Sequence, residues 1–416
     1  MKKIPETDTK FTETHISYNL LKEIREEAGA PVAKSKLLTK DFITIYGKEA
    51  ARKFYDPENF KREGAMPKVV LKTLFGEGGV QTIDGEAHKH RKGIFMDLMN
   101  PDRMKEYHKI LDKKMKDELD RQNGEFELFN LVRRVLFKAV CQWSGINLGN
   151  LDNEEIEELS KNQISMISGA VTSPVDQVKG IADRKESEEW AQDLIKEARE
   201  HPVPGKENVA LYAFANATDL EGELLPVEIA AVELLNIIRP TVALTVWGAL
   251  MGHALFSRDD IYKELKGDFD NLQDSFIQEL RRYYPFFPML PAISLREVEV
   301  DGYRIPKDSW VVLDLYGTNH DERSVNKPET FKIDRYIDDA EEISYDEEYR
   351  MIAQGGGDFR SMHRCAGEWI TLHTLRVFSD SLVNNYKFTV PEQDWEIPMN
   401  QFPTYPNSRV LLYKED

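Results

Sequence analysis

Apolar residues recur every three or four positions along much of the chain, which is the spacing of one face of an α-helix. The pattern predicts charged amphipathic helices over 87–99, 102–122, 126–143, 153–170, 185–200 and 268–284. The most apolar stretch, 226–256, predicts a single core helix that would be about 46 Å long if unbroken. These repeats indicate a mainly α-helical fold.

A different pattern predicts a small β portion. The segment "REVEVDGYRIPKDSWVVLDLYG" alternates apolar and polar residues around Asp301-Gly302, a dipeptide typical of tight hairpin turns. Near the start, "DFITIYGKEAARKFYD" predicts a strand, a break at Gly47 and a helix. A polar loop region is expected over 317–364, followed by a helix and short strands. The length would allow two or three domains, but we predict one mainly α domain with a minor β portion over 1–416.

The long apolar helix contains Arg239 and Pro240 side by side near its middle. A proline there removes one backbone donor and clashes with the preceding turn. A buried arginine keeps its charge, and a buried charge without a partner costs several kcal/mol. An anion should therefore lie next to Arg239, either a protein carboxylate such as Glu233 or a bound ligand.

Composition limits the partners. The formal charge of −18 disfavours nucleic acids and anionic membrane surfaces. The first residues hold no apolar run like that of a signal peptide, and no stretch of 18 apolar residues is free of charge, so we expect no membrane span. The two cysteines, Cys141 and Cys365, lie far apart and suit a reducing cytoplasm.

The segment "AQGGGDFRSMHRCAGEWITLHTLRVF" is the strongest candidate for chemistry. Its three glycines allow an unusual backbone path, and Cys365 stands just before a predicted helix. Helix amides, together with His363 and Arg364, would favour a thiolate, the form that ligates haem iron. The alternative is an ordinary buried cysteine, which is our interpretation of Cys141 within its apolar helix.

Two further motifs precede this loop. "QELRRYYPF" places Glu279 and Arg282 three residues apart on one helix face, and "PETFKIDRY" adds Arg335. In this order, the motifs resemble the cytochrome P450 superfamily over essentially the whole chain. The resemblance implies that Glu279, Arg282 and Arg335 form a structural triad behind a haem (heme b, iron protoporphyrin IX) ligated by Cys365. The loop departs from the usual signature, with Asp358 and Ser361 where phenylalanine and glycine are expected.

Arg239 and Pro240 match the positions where most members of the superfamily have an acid and a threonine that deliver protons to oxygen. The stretches "LLNIIRPTVA", "QGGGDF", "HRCAGEWIT" and "GVQTIDGEAHKHRK" resemble the bacterial fatty-acid peroxygenases and decarboxylases. That resemblance implies that Arg239 holds the carboxylate of a long-chain fatty acid, which acts as the acid–base group. It also implies that hydrogen peroxide replaces dioxygen, electrons and a reductase, and that oxidation occurs at Cα and Cβ.

Gln81 occupies a position linked, in this subgroup, to the choice between hydroxylation and decarboxylation. A glutamine does not titrate near neutral pH, which favours hydroxylation over loss of carbon dioxide to give a terminal alkene. Alternatively, Gln81 only hydrogen-bonds a loop.

The same resemblance suggests contacts to the haem propionates from His363, His88 and Lys92, with Arg62 as a further candidate. The alternative for "HKHRK" is a solvated basic face. Phe75 and Phe286 match residues that line the fatty-acid channel in related enzymes, although such aromatics are also common in ordinary cores.

Three other functions are alternatives to the peroxygenase. A reductase-dependent monooxygenase would be supported by an acid–alcohol pair, which the matching positions do not hold. A non-catalytic haem sensor would show no turnover with peroxide, and a fatty-acid carrier would bind lipid without haem.

Overall fold

The computed structural model describes residues 2–11, 17–37, 40–169, 173–340, 343 and 349–415. Helices dominate, as the periodicity predicted. In chain order they are α1 (Leu20–Ala28), α2 (Lys48–Tyr55), α3 (Lys68–Val70), α4 (Gly85–Leu98), α5 (Pro101–Leu119), α6 (Leu128–Trp143), α7 (Asn153–Ser168), α8 (Pro174–Glu200), α9 (Ala210–Ala215), α10 (Val227–Ala243), α11 (Thr245–Phe256), α12 (Asp259–Gly267), α13 (Phe269–Tyr283), α14 (Leu315–Asn319) and α15 (Glu368–Ser379).

The strands are short. They are β1 (Glu6–Phe11), β2 (Ala33–Leu37), β3 (Lys40–Ile45), β4 (Phe60–Lys61), β5 (Glu125–Glu127), β6 (Met289–Ser294), β7 (Val298–Val300), β8 (Tyr303–Ile305), β9 (Trp310–Asp314), β10 (Phe388–Thr389) and β11 (Leu411–Lys414). They form a six-stranded sheet in the order β1-β2-β3-β9-β6-β4, a three-stranded sheet β10-β11-β5, and the hairpin β7-β8. Asp301 and Gly302 turn this hairpin with φ of 49° and 79°, the left-handed backbone that their sequence predicted.

Local capping explains several helix starts. The Asn100 side chain accepts hydrogen bonds from the amides of Asp102 and Arg103, and Pro101 takes the first helical position of α5. The predicted start at 185 for α8 is wrong, because this helix begins at Pro174. The Ser173 side chain caps this helix by accepting from the Asp176 amide. The serine followed by proline is a helix-start signal, but the helix was predicted from the pattern of charged residues alone.

The single helix predicted over 226–256 is divided. α10 ends at Ala243 and α11 begins at Thr245, three and five residues beyond Pro240. Pro240 has no amide hydrogen for the carbonyl of Asn236, so one helix hydrogen bond is missing before the break. At the break itself, the Leu244 amide donates to the Thr241 carbonyl. Val227–Phe256 has the length and composition of a membrane span, but 89% of its most apolar window is buried inside the protein, as in a core helix.

The main hydrophobic core surrounds these two helices and includes Leu136 of α6, Trp247 of α11, Phe276 of α13 and Phe378 of α15. A smaller core lies beneath the six-stranded sheet. The described residues from 320 to 364 lie mostly in turns and irregular structure, as expected. Since α15 follows the cysteine loop directly, packing of α15 into the main core holds the loop against the helical body.

Candidate functional site

The cysteine loop runs from Gln354 into α15. Gly355 and Gly357 adopt φ of 92° and 86°, a backbone region that favours glycine. A Cβ on Gly355 would lie 2.9 Å from the Tyr55 hydroxyl oxygen, so a side chain there would collide with its neighbour. The Cys365 amide donates to the Gln354 carbonyl at 2.9 Å, which fixes the cysteine just before the helix.

The electrostatics at Cys365 differ from the prediction of a favoured thiolate. Burial raises the pKa of the Cys365 thiol, while the Gly367 amide and the charge of Lys92 act in the lowering direction without outweighing it. The side chain nevertheless has accessible surface. Among the described residues no group of three or more His, Cys, Asp or Glu side chains could hold a metal ion. A metal at Cys365 would thus need its other ligands from a cofactor, as haem provides.

The predicted triad is present in the interior behind this loop. The Arg282 guanidinium donates to both carboxylate oxygens of Glu279, at 2.7 and 2.8 Å. Arg335 donates to Glu279 at 2.8 Å, and the Lys332 amide donates at 2.9 Å. Glu279 and Arg282 are completely buried, so the triad joins α13 to the segment around Arg335 through a paired interior charge.

Sequence reasoning missed a second set of charges on α13 and the cysteine loop. Arg281 and Arg364 both pair with Glu368, at 2.5 and 2.9 Å, and Arg281 also donates to Gln278. Arg364 precedes Cys365, so this network ties α13 to the cysteine loop. The i to i+4 spacing of Arg364 and Glu368 was the available signal. We call the residues of both sets the cysteine-side network: Glu279, Arg281, Arg282, Arg335, Arg364 and Glu368.

The four residues predicted to contact propionates lie together. His88 and His363 stack with ring centroids 4.0 Å apart, and the Lys92 ammonium donates to the carbonyls of Met362 and Arg364. Arg62 lies over the Phe54 ring at 4.1 Å. His88 and Lys92 are 3% and 4% exposed, so the alternative of a solvated basic face is wrong for them.

Burial dominates the ionisation of this basic cluster. It lowers the pKa of His88 to about 3, of His363 to about 4, of Lys92 to about 8 and of Arg62 to about 10. Asp84 is the carboxylate in contact with the cluster. It accepts from the Arg62 amide at 2.9 Å, and its Oδ1 lies 3.0 Å from Nε2 of His363. The two imidazoles are therefore neutral near pH 7. Lys92 and Arg62 remain cationic beside Asp84, and this environment fits the two carboxylates of a haem.

Arg239 lies in α10, apart from the cysteine-side network. It is 3% exposed, and its Nη1 is buried without a hydrogen-bond partner among the described residues. The aromatic ring of Phe75 lies 5.9 Å from its Cζ. Burial, reinforced by the charge of Arg184, holds the pKa of Arg239 well below its ordinary value. The site therefore favours a negatively charged ligand.

Glu233, the protein carboxylate considered as a partner for Arg239, is used elsewhere. It accepts from Asn236 at 2.9 Å and from Arg91 at 3.2 Å. Asn236 also donates to Gln81 at 3.2 Å, so Gln81 hydrogen-bonds α10 rather than only its own loop. Asn236 and Arg91 were not predicted, although the spacing of Asn236 one turn before Arg239 was visible in the sequence.

Phe75 and Phe286 belong to the same apolar cluster. Both pack against a cluster of Leu74, Ile167 and Ala243, and Phe286 stacks on Trp247 at 4.9 Å. An apolar pocket of about 150 Å³, partly open to solvent, adjoins this cluster. Its lining includes Val70, Leu74 and Phe287 but neither Arg239 nor Cys365, so it lies apart from both of these residues.

Known proteins resemble the chain in part or in full. The family model of cytochrome P450 matches residues 271–412. "Cytochrome P450 1A1" of Sparus aurata is 31% identical over 134 residues, 32% of this chain and 24% of that protein. The matched region thus spans about a quarter of such relatives.

Two solved structures match over the whole chain. "Cytochrome P450EX alpha (CYP152N1) wild-type with myristic acid" has a TM-score of 0.92 at 34% identity, with 100% of both chains covered. A single-substitution variant of cytochrome P450 OleT in complex with arachidonic acid has a TM-score of 0.92 at 28% identity, covering 100% of this chain and 99% of that one. A fatty acid is the bound molecule in both of these structures.

Proposed function

The chain belongs to the cytochrome P450 family, and from this we propose that it is a hydrogen-peroxide-dependent hydroxylase of long-chain fatty acids. We also propose that residues 1–416 act as one haem-thiolate domain. Its fold is the cytochrome P450 fold, and haem b is its cofactor. Cys365 would ligate the iron, while His88, Lys92, His363 and Arg62 would face the propionates.

One observation carries the proposal: a buried arginine whose Nη1 has no partner among the described residues. A fatty-acid carboxylate would satisfy Arg239 by a bidentate, charge-assisted pair. The apolar cluster against which Phe75 and Phe286 pack, with the pocket beside it, would receive the alkyl chain. A fatty acid has the two chemical properties that this site combines, a single anionic end and a long apolar tail.

The carboxylate would also perform the proton transfer. Haem bound through a thiolate supplies the oxidising chemistry that follows cleavage of the peroxide O–O bond. Held by Arg239, the carboxylate accepts a proton from one peroxide oxygen and returns it to the other, which leaves as water. Pro240 has no hydroxyl group with which to replace this function. The overall reaction, R–H with H2O2 giving R–OH and H2O, is balanced without a reductase.

Anchoring the carboxylate determines which carbon reacts. Cα and Cβ are the carbons closest to the fixed end, so the 2- and 3-hydroxy acids are the expected products. Gln81 cannot titrate near neutral pH, which favours hydroxylation over the decarboxylation that would give a terminal alkene, carbon dioxide and water. We place the enzyme in the cytoplasm, acting without nucleic acid or membrane partners.

The test mixes purified holoprotein, myristic acid and hydrogen peroxide without a reductase and analyses the products by mass spectrometry. We expect hydroxylation at Cα and Cβ. Arg239→Leu should retain haem but lose at least about a hundredfold in kcat/KM, because it removes both the anchor and the positioned acid–base group. The matched control is Arg258→Leu, which removes an exposed arginine beyond the end of α11 and should leave turnover unchanged.

Other outcomes identify other functions. Turnover only with dioxygen, NADPH and a reductase would support the monooxygenase alternative, and terminal alkene as main product would support the decarboxylase. A haem protein without turnover would indicate a sensor, and lipid binding without haem would indicate a carrier. Cys365→Ala should lose the thiolate-type carbon monoxide spectrum, and its retention would show that the ligand is misassigned.

A further inference from the structure

Three polar residues near Arg239 have no place in the mechanism above: Glu233, Asn236 and Arg91. Glu233 is completely buried and accepts hydrogen bonds from Arg91, from Asn236 and from the Val80 amide. Burial nevertheless raises the pKa of Glu233 to about 7, so ionisation at this position opposes folding. Apolar residues would fill the same space at less cost, which suggests a functional reason for the polar cluster.

Asn236 connects this buried acid to Gln81. Its Nδ2 donates to Glu233 Oε2 at 2.9 Å and to Gln81 Oε1 at 3.2 Å, so both amide protons are used. Its Oδ1 is buried without a hydrogen-bond partner among the described residues. In its ionised form the Glu233 carboxylate can only accept, and it then requires the NH2 end of the Asn236 amide to face it. Asn236 thus presents a donor, not an acceptor, to Gln81.

This donor determines the orientation of the Gln81 amide. Because Oε1 of Gln81 accepts from Asn236, its Nε2 remains the end that can donate elsewhere. Gly79 provides the room for this contact, since a Cβ there would lie 3.0 Å from Asn236 Nδ2 and 3.1 Å from Gln81 Oε1. Asn236 also lies one helical turn before Arg239, on the same face of α10.

We infer that Asn236, anchored by Glu233 and Arg91, is a positioning residue that fixes the Gln81 amide and thereby sets the ratio of Cα to Cβ oxidation. The inference rests on the proposed function, because it concerns where the anchored fatty acid is oxidised. Since Asn236 lies one helical turn before Arg239, the Gln81 amide that it holds would lie next to a carboxylate bound to Arg239. A hydrogen bond from Gln81 Nε2 would then shift that carboxylate, and a small shift changes which carbon lies nearest the oxidant.

The experiment measures the ratio of 2-hydroxy to 3-hydroxy myristic acid in Asn236→Leu and in Asn236→Asp. Asn236→Leu removes the donor to Gln81. Asn236→Asp preserves side-chain size in case the first variant fails to fold, and its carboxyl group shares a proton with Glu233, so it no longer gives Gln81 a fixed donor. We expect the ratio to change by about 2- to 10-fold, the effect of losing one hydrogen bond. Thr245→Val is the matched control, because it removes a buried hydroxyl whose partner among the described residues is the Val242 carbonyl, three positions earlier in the chain.

A double-mutant cycle separates positioning from a general structural effect. If Asn236 acts through Gln81, then Asn236→Leu should change the ratio no further in a Gln81→Ala background. If the two substitutions change the product ratio independently, so that their effects multiply in the double variant, the inference is overturned. An unchanged ratio in both Asn236 variants would overturn it as well. A crystal structure of Asn236→Leu that keeps the Gln81 amide in its original orientation would also overturn it. Absence of any oxidised product from the wild type would instead overturn the proposed function.

Discussion

The two parts of the site treat buried charge in opposite ways. In the cysteine-side network every arginine contacts a glutamate, and Glu279 alone accepts from Arg282, Arg335 and a backbone amide. In α10, Arg239 is similarly buried, yet its Nη1 has no partner among the described residues, and Glu233 of the same helix is bound to Arg91 and Asn236. Each arginine of the network has a carboxylate partner, although Nε of Arg281 has no hydrogen-bond partner among the described residues, so this part carries its own counter-ions. A buried arginine without a counter-ion indicates that a ligand completes the site.

The comparison predicts that removing one charged side chain from each part will change the free energy of unfolding in opposite directions. Removing one member of the paired network leaves its partners buried and unpaired, which is costly. Removing the unpaired charge relieves a cost that the substrate-free protein already bears. Measurements on both parts would therefore test the comparison directly.

The largest expected effect is on the paired network. Glu279→Gln should lower the free energy of unfolding by about 3–5 kcal/mol, because Arg282 and Arg335 lose their common counter-ion in the interior. Chemical denaturation and haem content would measure this loss. Glu86→Gln, which breaks an exposed pair with Lys89, should change stability by less than about 1 kcal/mol. Equal effects of the two substitutions would show that the network does not stabilise the fold.

The next effect concerns the buried acid of α10. The pKa of Glu233 in the folded protein, about 7, is above its ordinary value of 4.5, so the native state holds the proton more tightly. The stability that protonated Glu233 contributes is fully present below about pH 4.5. About 3 kcal/mol of the free energy of unfolding is lost as the pH rises from there through 7.

Glu233→Gln has no such titration, so its stability relative to wild type should rise between pH 5 and pH 8. Urea unfolding of both proteins at the two pH values measures this difference, and the other titrating groups cancel between them. A constant difference would mean that Glu233 does not change its charge over this range.

The smallest effect has the opposite sign to the first. Arg239→Leu should stabilise the substrate-free protein by about 1–3 kcal/mol, because an apolar side chain replaces a buried charge without a counter-ion. Myristic acid should raise the free energy of unfolding of the wild type by RT ln(1 + [L]/Kd). It should leave the free energy of unfolding of Arg239→Leu unchanged. If Arg239→Leu were as destabilising as Glu279→Gln, the comparison between the two parts would be wrong.

Features encoded by neighbouring residues could be predicted from the sequence. The Asp301-Gly302 hairpin and the cap of α5 depend on backbone preferences of a few residues, and both are present. The cysteine loop was recognisable because its glycines are required locally by φ values of 92° and 86°. The triad was found only through the resemblance, because nothing local brings Arg335 to Glu279.

Contacts between distant segments could not be predicted from the sequence. Asn236 reaches Gln81 across 155 positions, and Arg281 reaches Glu368 across 87. Such contacts depend on how α10, α13 and the loops pack, which periodicity does not specify. The interruption at Leu244 was missed for a related reason, since the apolar pattern continues through it although the backbone hydrogen bonds change.

The unpaired Nη1 of Arg239 has a consequence for what the enzyme rejects. An alcohol or hydrocarbon of equal length could still enter the apolar pocket, since that pocket responds to shape and surface rather than to a head group. Such a molecule would bring no carboxylate and so no proton carrier, and it would leave unreacted. The protein would therefore discriminate against such lipids twice, first by the weaker binding of a molecule that leaves Arg239 without a counter-ion and then by the missing proton carrier.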